Sequence, residues 1–157
     1  MSSTDVSGET DQAERALGAD MNLEVVTLPV ADVDRAKAFY QRLGWRLDID
    51  LVVSDEIRNV QFTPPHSGCS IQFGKGRTSA EPGSDHAMIL VVNDIDAARG
   101  DLINRGVDVT EVQEMKPPGF DAPGRSYFAR ASFSDPDGNG WELQEITTRL
   151  PGREWED

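Results

Sequence analysis

The sequence predicts an α+β fold built from two copies of one βαβββ module, and three observations carry that expectation. Two passages align without gaps at an offset of 62 residues. Each runs from alternating apolar residues into helical spacing and then to a glycine, and each is followed by three further strand-like runs.

The first passage covers positions 24–45 and the second 86–107, with identities at Leu28/Leu90, Val30/Val92, Asp32/Asp94, Asp34/Asp96, Ala36/Ala98 and Gly44/Gly106. Val26, Leu28 and Val30 alternate with Val25, Thr27 and Pro29, as a strand with one buried face requires. Asp32 then caps a helix over 33–43, with Val33, Ala36, Tyr40 and Leu43 on one side and Gly44 as its left-handed stop. Met88, Leu90, Val92, Asp94, Ile95, Ala98, Leu102 and Gly106 repeat this logic, giving a second helix over 95–105. Strands follow at 45–53, 57–63 and 69–73 in the first copy, and at 107–112, 127–133 and 140–146 in the second. Asp135-Pro136-Asp137-Gly138-Asn139 is a turn between the last two. Residues 114–125, with three prolines and two glycines, form a long loop that the first copy lacks.

The expected organisation is a polar leader at 1–21, too poor in apolar residues to offset ordering entropy, then one domain at 22–147 and a tail at 148–157. Within the domain, module one spans 22–74, a Gly/Ser/Pro-rich linker 75–85 and module two 86–147. With 157 residues and 38% hydrophobic composition, a single core is expected. No run approaches the roughly 18 apolar residues of a membrane span, and no signal-peptide segment opens the chain, so a cytoplasmic protein is expected. The formal charge of −13 argues against nucleic acid or an anionic membrane as partner. The two ends hold −4 and −1 of that charge, and the remaining −8 on the middle would suit solubility or a cationic ligand alike. Cys69 is the single cysteine, read as a small, half-buried side chain. No GxGxxG after a strand, P-loop, GxSxG or His-x-x-x-His is present.

Paired βαβββ units, with VADVDRAKAFYQRLGW opening one half and FSDPDGNGWELQE closing the other, resemble the vicinal oxygen chelate superfamily, the glyoxalase/bleomycin-resistance/dioxygenase group. The resemblance covers 22 to about 147. It implies that the strands curl into a mixed-sheet cleft around a divalent metal or an organic ligand, and that the protein is a homodimer, in some members with the cleft assembled across the subunit interface. Metal-using members take ligands from the first and last strands of each module. The opening-motif ligand positions, seven before the helix-starting aspartate, are Val25 and Ala87 here, and neither can bind a metal. The closing positions are Glu142 and Gln72. These two are the candidate metal ligands, and Glu142 is the candidate acid/base.

Alternation in Trp141-Glu142-Leu143-Gln144-Glu145 puts Glu142 and Gln144 on one face, which the resemblance identifies as the cleft, and Glu145 on the other, which makes Glu145→Gln an expected silent control. Strand parity adds Thr27, Arg130 and Ser132 to Gln72 and Gln144 as ligand contacts. Glu24, His86 and His66 are read as exposed strand-start or turn residues. Two functions follow. One is a binding protein that holds a small organic molecule without a complete four-ligand metal site, and therefore with no cofactor. The other is a metal-dependent lyase, isomerase or dioxygenase using Glu142 as ligand or acid/base and a divalent ion as cofactor.

Overall fold

A computed structural model describes residues 18–119 and 124–154. Module one contains β1 (Val25–Thr27), α1 (Val33–Arg42), β2 (Arg46–Ser54), β3 (Ile57–Thr63) and β4 (Ser70–Lys75). Module two contains β5 (Met88–Val92), α2 (Ile95–Asn104), β6 (Gln113–Glu114), β7 (Ala129–Ser134) and β8 (Gly140–Glu145). The sheets have orders β1-β4-β3-β2 and β5-β8-β7-β6. In each, the first strand runs parallel to the last and the other pairs are antiparallel.

The helices start 62 residues apart and end 62 apart, as the repeat requires. Asp32 and Asp94 cap them alike, accepting from the Arg35 and Ala97 amides at 3.1 Å. Gly44 and Gly106 follow with φ of 80° and 83°, a backbone that any side chain would strain. Helix α1 buries Val33, Ala36, Phe39 and Tyr40, and these join Phe62 and Phe73 of sheet one and Phe133, Trp141 and Leu143 of sheet two in one core.

The modules are joined through the Asp-Pro-Asp-Gly-Asn turn. Asp135, 5% exposed, accepts from the Tyr40 hydroxyl at 2.9 Å, the Asn139 side chain at 2.8 Å and the Asp137 and Asn139 amides. The Trp141 indole donates to the Tyr40 hydroxyl at 3.0 Å, and Asn139 also donates to the Pro29 carbonyl at 2.9 Å. Asp137 accepts from the Ala31 amide and pairs with Arg35 at 3.1 Å. Gly83 in the linker has no alternative, because a Cβ there would sit 2.0 Å from the Asp137 carbonyl oxygen.

One expected strand is replaced by irregular backbone. Over 107–112, Val107 and Val109 enter the core, but Ser132 donates its amide to the Thr110 hydroxyl instead of to a neighbouring carbonyl. Arg99 meanwhile occupies the Thr110 carbonyl at 2.7 Å, so the ladder is interrupted and resumes only at Gln113. Tyr127 has φ of 72°, and β7 therefore starts at Ala129 rather than at 127. The leader falls outside the described residues as far as position 17. Among the described residues no helix is long and apolar enough to cross a membrane.

Candidate functional site

Burial alternates along β7, with Ala129, Ala131 and Phe133 in the core and Arg130, Ser132 and Ser134 exposed. The register then assembles one face. Ser132 lies opposite Glu142, Arg130 opposite Gln144, Glu142 beside Ile89 and Gln144 beside Val91. Four of the expected site residues, Arg130, Ser132, Glu142 and Gln144, therefore share the helix-free face of sheet two.

On that face the Arg130 guanidinium donates to the Glu142 carboxylate at 2.7 Å, with the carboxylate side chain 19% exposed and the guanidinium 46%. Gln144 is buried, and its amide donates to the Tyr127 carbonyl at 3.1 Å, which holds Tyr127 in its left-handed turn. Ser132 borders a cavity of about 250 Å³ with Glu142, Gln113 and Thr110. A second cavity, about 470 Å³, is walled by Met115, Pro117, Tyr127, Phe128 and Leu150. Arg130, Met115 and Phe128 border both, and Arg130 is the charged residue the two cavities share.

The apolar walls come from the loop that module one lacks and from the tail. Arg125 ties this loop down, pairing with Asp96 in the first turn of α2 at 2.6 Å and with Glu114 at 2.6 Å. The Asp96 carboxylate beside it raises the Arg125 pKa further. The tail returns through Ser126, whose hydroxyl donates to the Thr148 carbonyl at 2.7 Å, and the Leu150 amide donates to the Tyr127 hydroxyl at 3.1 Å. Met115, Pro117, Tyr127, Phe128 and Leu150 escaped the sequence reading. The proline- and glycine-rich insertion was the available signal for the loop, and nothing marked Leu150.

Thr27 and Gln72 lie together on sheet one, where the Gln72 amide donates to the Thr27 hydroxyl at 2.8 Å and Arg77 donates to the Gln72 carbonyl oxygen at 3.3 Å. Beside them Thr63 links Asp48 to Ser70, whose hydroxyl is 2.6 Å away. Partial burial pushes the Asp48 carboxyl up, but hydrogen bonds from Thr63, Arg46 and Gln61 outweigh it and hold it below the ordinary aspartate value. No described hydrogen bond or cavity joins this cluster to Glu142.

The residues present do not fit a four-ligand divalent ion. Val25 and the residue before β5, Ala87, offer no donor, the Gln72 side chain is engaged at both ends, and Glu142 already has a cation against it. Among the described residues no three His, Cys, Asp or Glu side chains cluster. His86, Glu24 and His66 are exposed, the last in a left-handed turn with φ of 64°. Cys69 borders an apolar seam between the modules with Val26, Met88 and Trp141; burial and the nearby Glu24 charge raise its thiol pKa, the opposite of what thiolate chemistry uses. Glu145 departs from its expected role as a silent control. It is 7% exposed and accepts from the Ile95 amide at 3.1 Å, at the start of α2.

No curated protein matches the chain. Among solved structures, the antibiotic-binding protein TnmS3 from Streptomyces sp. CB03234 is 28% identical with a TM-score of 0.66, over 82% of this chain and 98% of that one. A glyoxalase/bleomycin resistance protein from the same organism is 29% identical with a TM-score of 0.61, over 78% and 99%. A member of the same superfamily from Sphaerobacter thermophilus DSM 20745 is 28% identical with a TM-score of 0.63, over 80% and 98%. The family model described as the glyoxalase/bleomycin resistance protein/dioxygenase superfamily matches residues 22–143, and the chain belongs to that superfamily.

Proposed function

We propose that this protein binds a small organic ligand on the helix-free face of sheet two, in the joined hollows on either side of Arg130, without a complete four-ligand metal site. The observation that carries this reading is Arg130, held by Glu142, lining both an apolar cavity of about 470 Å³ and a smaller one of about 250 Å³ that adds Thr110, Gln113 and Ser132. Ligand sites combine apolar walls with a few placed polar groups, and this one has both. Glu142 already has a cationic partner at 2.7 Å, so the carboxylate needs no metal there to offset its desolvation. We assign it the role of holding Arg130. The 28% identity to an antibiotic-binding protein supports binding over catalysis.

In this reading Ser132 and Gln144 contact the ligand directly, while Thr27 and Gln72 reach it from the facing sheet of a second copy. A homodimer is therefore part of the proposal. The test is titration with N-phenyl-1-naphthylamine, a neutral apolar dye, with and without EDTA. We expect saturable binding of one dye per chain, unchanged by the chelator, and weakened about 10-fold or more by Leu150→Asp, which places a charge on the apolar wall. Absence of saturable binding would sink the proposal. A stoichiometric divalent ion in protein purified without chelator or nickel resin would overturn its metal-free part.

A further inference from the structure

The charge of the chain and the charge of the hollow disagree. The whole molecule carries −13, which from composition alone would suit a cationic ligand. The hollow, however, has the Arg130 guanidinium as the one charged residue lining its larger part, and a lining carboxylate, Glu142, only in its smaller part.

Arg130 spends little of its hydrogen-bonding capacity on the protein. Its contact with Glu142 is made through Nη1 alone, and its other guanidinium N–H groups have no protein partner among the described residues. A guanidinium has five N–H donors in a planar fork that matches oxyanion geometry. This fork is half-exposed at the boundary of an apolar space walled by Met115, Tyr127 and Phe128. A ligand that filled this space with apolar surface would bring any oxyanion it carried against a donor in a partly desolvated setting, where charge-assisted hydrogen bonds are strongest. A cationic group in the same place would meet Arg130 with like charge.

We propose that the hollow selects flat apolar ligands bearing an anionic oxygen group, a carboxylate, sulfonate or phenolate, with rings against Phe128, Tyr127 and Met115 and the oxyanion on the free fork of Arg130. This rests on the binding reading above and adds the ligand's charge class. Glu142 competes with the oxyanion for the same guanidinium, so it limits affinity while it fixes the orientation of Arg130.

Two dyes separate the claims, because 8-anilinonaphthalene-1-sulfonate differs from N-phenyl-1-naphthylamine only in its sulfonate. We expect the native protein to bind the sulfonate at one site per chain about 10-fold more tightly than the neutral dye, the order expected of one charged hydrogen bond. Arg130→Met should bring the sulfonate-to-neutral affinity ratio down to about 1, whatever it does to the absolute affinity of either dye. Glu142→Gln should raise the sulfonate-to-neutral ratio several-fold, since it removes the competing charge while the amide oxygen can still accept from Arg130. Equal affinity of the native protein for both dyes, or a preference that survives Arg130→Met, overturns the anion assignment while leaving ligand binding intact. Failure of both dyes to bind overturns both proposals. Should Arg130→Met fail to fold, Glu142→Gln and the native dye ratio still decide the matter.

Discussion

Tyr40 shows how one residue serves the whole molecule. Its ring packs among Phe39, Trp45, Phe62 and Phe73, and its hydroxyl both donates to buried Asp135 and accepts from Trp141. Removing that hydroxyl leaves a buried carboxylate one donor short and a buried indole N–H without its acceptor. We expect Tyr40→Phe to cost roughly 1–3 kcal/mol in urea unfolding at neutral pH. Burial, then the Asp135 charge, raise the Tyr40 phenol well above its ordinary value of 10.0. Its contribution is then fully present below about pH 10, where the unfolded phenol is neutral, and fades as pH rises toward the folded value. The stability gap between native protein and Tyr40→Phe should therefore shrink above pH 10; a gap that widened would contradict the assignment. The sequence reveals Asp135 and Asn139 as turn residues, because turn chemistry is local. It hides their role as the joint between modules, because Tyr40 and Pro29 lie 95 and 110 positions away.

At the scale of elements, the two helices were legible because their caps, apolar spacing and stopping glycines all lie within a dozen residues of one another. The outer strand of module two was not. Val107 and Val109 look like strand residues, and what breaks the ladder is two side chains taking backbone partners, Arg99 from α2 and the Thr110 hydroxyl within the run itself. The parity that placed Glu142 and Glu145 on opposite faces is right, yet it says nothing about what an inward-facing carboxylate meets. Glu145 meets the N-terminus of α2, where a buried acceptor and a negative charge both stabilise. Glu145→Ala should cost about 1–2 kcal/mol in thermal or urea unfolding, and Glu145→Gln less, because the amide oxygen still accepts. An unchanged midpoint for Glu145→Ala would refute the capping role. Arg125 acts differently, since its ion pairs with Asp96 and Glu114 are exposed, screened by solvent, and add little to stability. Arg125→Ala should leave the unfolding midpoint nearly unchanged while weakening dye binding several-fold, because it frees the loop that carries Met115 and Phe128. A large stability loss with native dye affinity would reverse that assignment.

For the whole molecule, the repeat makes the architecture readable from sequence, whereas the proposed ligand hollow is not, because half its walls belong to segments with no counterpart in the repeat. What the fold leaves uncovered leads to assembly. On β2, Asp50 bonds Lys37 of α1 and Arg58, which fixes that side as the helix side. Ile49, Leu51 and Val53 alternate onto the other side and are 39%, 49% and 63% exposed. On sheet two, Ile89 and Val91 flank Glu142 and Gln144 and are 49% and 43% exposed. Both helix-free faces thus present branched apolar side chains to water, at a cost of about 25 cal/mol per Å² that association would remove. Pairing sheet one of one copy with sheet two of another covers both at once, and twofold symmetry does so twice, which is the closed arrangement a homodimer favours. In the proposed dimer the same pairing would set Thr27 and Gln72 opposite the partner subunit's proposed ligand hollow. We expect sedimentation at micromolar concentration to give about twice the 17.2 kDa chain mass. Leu51→Asp combined with Val53→Asp should yield folded monomer, since burying two carboxylates without partners costs more than the apolar contact returns. A 17.2 kDa species in the unmodified protein up to roughly 100 µM, well above the dissociation constants of stable homodimers, would sink the homodimer, and with it any role for Thr27 and Gln72 in the ligand site.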